Sequence, residues 1–183
     1  MLSGFSDDSQ LYYWRILGAE QVMRLYRTDP AALSTAYHRR ALIPLPRNAS
    51  ELGLAYAASM GSGAAHLHVP AGLYRGLRAP ALDLLIELAA RVRAISHTPA
   101  PLTVASTVMD ASYARQEGID DPPSVTGYTF QIARRYASHA QAEAFQAMLD
   151  RLQSLNLIGW IRGDQTIEIT VASDADQVIT RGV

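Results

Sequence analysis

Between residues 126 and 171 the apolar residues change their spacing twice, and no single type of element can follow both changes. Tyr128, Phe130 and Ile132 recur at every second position, the period of a strand with one dry face. Ala142, Phe145, Leu149 and Leu152 then recur at every third or fourth position, the period of an amphipathic helix. Ile167, Ile169 and Val171 return to every second position. The stretch therefore predicts a strand over 126–133, a helix, and two further strands. Ser138 is placed to cap the helix, which reaches Leu155. Gly163-Asp164 supplies a hairpin-type turn between Leu157–Arg162 and Thr166–Val171.

The rest of the chain is punctuated by proline and glycine. A helix is predicted from Pro80 to Ser96, with proline in its first turn, where a missing N–H does no harm. Leu82, Leu85, Ile86, Leu88 and Ala89 form its inner face, and Pro99 and Pro101 lie beyond its end. Leu102–Ser106 follows as a β-rich strand. Upstream, residues 8–28 read as a helix capped by Ser9, with Leu11, Trp14, Ile16, Leu17, Val22, Met23 and Leu25 giving a broad apolar face. Asp29-Pro30 breaks it, and a shorter helix over 31–40 follows. Ala41–Pro46 is extended, but its two prolines confine it to an edge or a connector. Residues 47–64 carry no clear period. His66–Val69 reads as a short strand, and Ala111–Glu117 as a short helix ending at Gly118. This order predicts an α+β fold: a small antiparallel sheet flanked by helices over 65–183, with an N-terminal helical extension and connector over 1–64 packing on that core.

Composition excludes several classes of function. Cysteine is absent, so disulfides, thiol catalysis and Cys-ligated zinc are out. A net charge of −1 leaves no broad footprint for nucleic acid. No run reaches the roughly 18 apolar residues of a membrane helix, so the chain is not expected to span a membrane. The first residues have no basic segment followed by an apolar one, so the chain is expected to be cytoplasmic or to follow a removed signal or anchor. Gly61-Ser62-Gly63 lacks the Lys-Ser/Thr of a phosphate loop. Ser106 and Ser124 lack a nucleophile elbow, and the adjacent Asp120 and Asp121 are badly placed to converge as acid and base. His66 and His68 fall on one face of their strand and form a possible metal chelate. No cofactor motif is present.

One string carries a family likeness. Ser124-Val125-Thr126-Gly127-Tyr128-Thr129-Phe130-Gln131-Ile132 resembles the His-x-x-Gly-x-x-x-Asp strand of the zinc D-alanyl-D-alanine peptidases of the VanX/VanY type, whose fold is shared with hedgehog domains. The likeness extends over residues 80–173 and is closest to a little-characterised bacterial branch of that superfamily. In that family the signature strand gives a His and an Asp to the zinc, the last strand gives a second His with a general-base Glu three residues before it, and an Arg stands near the earlier strand. At those places this chain has Ser124, Gln131, Glu168, Gln165 and Met109. Zinc catalysis needs three N/O ligands, an open place for water and a base to take its proton. The resemblance thus implies a peptidase scaffold without catalytic residues, metal or cofactor, whose five substituted positions line a metal-free pocket. It further implies a binding or scaffolding role in the bacterial cell envelope or periplasm, toward a peptidoglycan peptide or a protein partner. Two alternatives stand beside it: an active metal enzyme whose site has moved to His66, His68 and Glu168, and a purely structural interaction protein using the aromatic N-terminal helix around Trp14.

Overall fold

The structure, a computed structural model, describes residues 19–20, 22–33, 42–61, 74–108 and 126–175. The chain divides into two compact units, Met1–Ala41 and Leu42–Val183. In the first unit, residues 19–20 and 22–28 are helical and residue 29 interrupts the run. Asp29 both breaks that helix and starts the next. Its carboxylate accepts from the Ala32 N–H at 2.9 Å, and Pro30 follows at the first helical position. The expected start of the first helix, and the end of the second, lie outside the described residues.

The second unit holds strands β1 (Ile43–Pro44), β2 (Leu54–Tyr56), β3 (Gly76–Leu77), β4 (Leu102–Ser106), β5 (Thr129–Ala133), β6 (Ile158–Arg162) and β7 (Thr166–Val171). Among the described residues its two long helices are α1 (Ala79–Ser96) and α2 (His139–Ser154). β1 and β3 pair antiparallel as a small ribbon, an arrangement that gives the proline-bearing segment the edge position its composition requires. The other five strands form one sheet in the order β2-β4-β5-β7-β6. The fold is therefore α+β, but the main sheet is mixed where a purely antiparallel one was expected. β2 runs parallel to β4, with Leu54 opposite Leu102, while all other neighbours are antiparallel. The chain between β2 and β4 contains α1, the kind of long connection that parallel neighbours require. The second unit begins at Leu42, so β2, from the segment without a clear period, belongs to the main sheet.

α1 and α2 pack against each other over one face of this sheet. Leu84, Leu85, Leu88 and Val92 from α1 meet Phe145, Leu149 and Leu152 from α2 and Val104, Phe130, Ile132, Ile167 and Ile169 from the strands, all buried. Ile86, expected on the inner face of α1, is only partly buried. α2 begins where Ser138 accepts from the Gln141 N–H at 3.1 Å. Gln141 itself is buried, and its amide spans two segments: Oε1 accepts from the Ala137 N–H at 2.8 Å, and Nε2 donates to the Ala100 carbonyl at 2.8 Å. A polar side chain is tolerated there because it satisfies backbone groups that burial would otherwise orphan.

Candidate functional site

The strand alternation read from the sequence places polar side chains together on the face away from the helices. Phe130 and Ile132 are buried under the helices, and Ile167, Ile169 and Val171 alternate with the half-buried Thr166, Glu168 and Thr170. Register then sets the neighbours. Gln131 stands opposite Glu168, and Gln131 Nε2 donates to Glu168 Oε2 at 2.9 Å. Thr129 stands opposite Thr170, with their hydroxyls 2.9 Å apart. On the other side of β5, Ser106 is opposite Gln131 because an irregularity between Val104 and Ser106 shifts the register. One row thus crosses four strands as Ser106, Gln131, Glu168 and Ile161.

Gly127 enters this strand with φ 77°, in the left-handed region that favours glycine. A Cβ there would stand 2.6 Å from Leu42 Cδ2 and 3.2 Å from Arg78 Cγ. Local geometry alone therefore demands the glycine of the signature string, with no reference to a metal. Arg78 caps the corner. Its N–H donates to the Gly127 carbonyl at 2.9 Å, its Nε donates to the Thr126 carbonyl, and its guanidinium lies 5.4 Å from the centre of the Tyr128 ring.

Of the five substituted positions, the structure brings two into contact, Gln131 and Glu168. Gln165 is exposed on the β6–β7 turn, where its carbonyl accepts from the Arg134 N–H at 2.8 Å. The turn is anchored further by Arg134 Nη1, which donates to the Gly163 and Asp164 carbonyls. Met109 and Ser124 lie outside the described residues, as do His66 and His68 of the alternative chelate. Among the described residues no three His, Cys, Asp or Glu side chains gather to hold an ion. No described helix is long and apolar enough to cross a membrane.

Two features escaped the sequence reading. The hydroxyl pair Thr129–Thr170 extends the polar floor, and its signal was present: threonine on the same parity as Gln131 in β5 and Glu168 in β7. A groove of about 290 Å³ also lies between α1 and α2, lined by Leu84, Leu88, Met148 and Leu152 and rimmed by Arg91 and Arg151. It sits on the helix layer, away from Gln131 and Glu168.

Chemically, the Gln131–Glu168 pair is rich in acceptors. With Gln131 Nε2 given to the carboxylate, the other carboxylate oxygen and the Gln131 carbonyl oxygen remain to accept bonds. Such a floor complements N–H and ammonium donors and repels carboxylates. No family model matches this chain, and no curated protein or solved structure matches it at a significant level.

Proposed function

We propose that this chain is a non-catalytic binding module of peptidase-like descent, whose open sheet face takes an extended peptide through that peptide's N–H and ammonium groups. The Gln131–Glu168 hydrogen bond supports this reading most directly. The resemblance assigns both positions to zinc ligands, and here one is a neutral amide committed to the other. A side-chain amide is a poor zinc ligand, and a lone carboxylate falls short of the three ligands that catalysis needs. What the pair does offer is a compact set of acceptors between β5 and β7.

The peptide class follows from that chemistry. An amine-bearing peptide, such as a stem peptide of peptidoglycan with its free side-chain amine, complements the carboxylate; a protein segment carrying lysine does the same. The cell-envelope setting rests on the resemblance alone. The test joins metal analysis to titration. Purified chain, dialysed without chelator, is expected to hold no stoichiometric zinc and to leave a D-Ala-D-Ala peptide intact. In NMR titration with a lysine-containing stem peptide, amide shifts are expected to concentrate at Gln131, Glu168 and Thr170 and to vanish in Glu168→Gln. Near-unit zinc with hydrolysis would remove the non-catalytic reading. A titration that leaves those amides unmoved would remove the binding one.

A further inference from the structure

The outer edge of β6 carries an unpaired set of backbone groups, and the ladder fixes which ones. The Ala172 N–H donates to the Leu157 carbonyl at 2.9 Å, and the Gly163 N–H donates to the Thr166 carbonyl at 2.9 Å. These are hydrogen-bonded pairs of an antiparallel ladder, in which bonded and non-bonded pairs alternate. Given the register Gly159 opposite Thr170 and Ile161 opposite Glu168, the N–H and C=O of Gly159 and Ile161 point into β7. Those of Ile158, Trp160 and Arg162 therefore point outward. Among the described residues β7 is the sole sheet neighbour of β6, and the outward groups have no backbone partner.

On the face away from the helices this edge is equally unguarded. Ile161 is 68% exposed, the most exposed large apolar side chain among the described residues. Gly159 beside it has open space, with nothing within 4 Å of where a Cβ would stand. Trp160 keeps its Nε1 shielded from solvent without a hydrogen-bond partner, and the Arg162 guanidinium lies 5.8 Å from its ring centre. The strand has no proline and one charge, far less than exposed edges ordinarily carry to discourage pairing.

We propose that β6 is a dimerisation edge, pairing antiparallel with β6 of a second copy of this chain about a two-fold axis at Trp160. The pattern is self-complementary. Ile158, Trp160 and Arg162 are symmetric about Trp160, so every outward N–H of either copy meets an outward C=O of the other. Trp160 faces its own counterpart, and Ile158 faces Arg162. On the open face Ile161 comes to lie against Gly159 of the second copy, where the free space receives it. The charges also choose the direction: in-register parallel pairing would set Arg162 beside Arg162, and the antiparallel arrangement separates them. An unrelated peptide would satisfy the backbone groups but would not account for the Ile161–Gly159 match.

The full chain tests this directly, because it has no cysteine of its own. A G159C chain mixed with an I161C chain under mild oxidation is expected to form the mixed disulfide much faster than either chain pairs with itself. The facing positions stand about 4.5 Å apart in a non-bonded pair, whereas like positions lie on a diagonal of about 7–8 Å. Sedimentation equilibrium of the unmodified chain is expected to show a concentration-dependent dimer. Ile161→Lys is expected to weaken that dimer at least tenfold while leaving the circular dichroism spectrum and melting of dilute protein unchanged. A chain that stays monomeric at all concentrations would overturn the proposal. So would a dimer indifferent to Ile161→Lys, or like-with-like disulfides as fast as the mixed one.

Discussion

The two faces of the main sheet are made by alternate residues of the same strands, yet they do different work. Under the helices, Phe130, Ile132, Ile167 and Ile169 are fully buried among apolar neighbours. On the open side, Thr129, Gln131, Glu168 and Thr170 meet one another in polar pairs across the β5–β7 register. The contrast teaches that stability and recognition are separable here at the level of single residues. A change at position 130 acts on the fold, and a change at position 131 acts on the chemistry of the floor.

The sharpest way to break this contrast is to truncate neighbours on opposite faces. Phe130→Ala is expected to cost about 3–5 kcal/mol in denaturant unfolding, through lost burial and the cavity left behind. Gln131→Ala, which removes one half-buried hydrogen bond, is expected to cost about 1 kcal/mol or less. Equal losses from the two would show that the faces share the stabilising load. Next in size is Gln141→Leu, which leaves the Ala137 N–H and the Ala100 carbonyl without the partners they have now. Each orphaned group is expected to cost about 1–3 kcal/mol. A near-neutral result would mean that the helix side tolerates purely apolar packing at that point.

Thr129→Val probes the open face where it is most shielded, since Thr129 is buried and its hydroxyl meets that of Thr170. It is expected to lower stability by about 1 kcal/mol. An increase would show that this corner behaves as core. The smallest effect concerns titration on the helix side. Burial raises the Tyr136 pKa above its ordinary 10.0, opposed by the positive charges of Arg134 and Arg162, and burial likewise raises that of Tyr56. The folded chain prefers both phenols protonated. Their contribution is complete below pH 10 and is lost as pH rises through the higher folded values. Ultraviolet titration is expected to show the Tyr136 and Tyr56 phenolates appearing late, and Tyr136→Phe should remove one late phenolate.

Elements built on a clear period were legible before any coordinates. α1, β4, β5, α2 and the β6–β7 hairpin all fall where spacing and turn residues place them, and Ser138 caps α2 as its position predicts. β2 and β3 were not legible. Leu54–Tyr56 is too short to show a period, and it is held by a parallel partner far along the chain that no local pattern announces. The same distance effect explains the mixed sheet. For the candidate site, alternation alone set Gln131 and Glu168 on one face, and the register that makes them partners came only with the fold. Gln165 could not be placed this way, because it belongs to a turn where alternation stops. Gly127 illustrates the converse: its place in the string looked like family ancestry, and its positive φ and crowded neighbours give it a sufficient local cause.

The two edges of the five-stranded sheet are reached by chain routes of very different length. β6 meets β7 across residues 163–165, whereas β2 meets β4 across residues 57–101, with α1 laid down in between. Closing the longer loop costs more entropy, and only a three-residue ladder rewards it. Assembly should therefore run from the hairpin side toward β2, and transient opening of the native state should run the other way. Ala57, whose N–H donates to the Val104 carbonyl at 2.9 Å at the end of that ladder, is expected to trade its amide proton for deuterium well before Phe130 or Ile169 does, marking the margin at which the folded molecule first loosens.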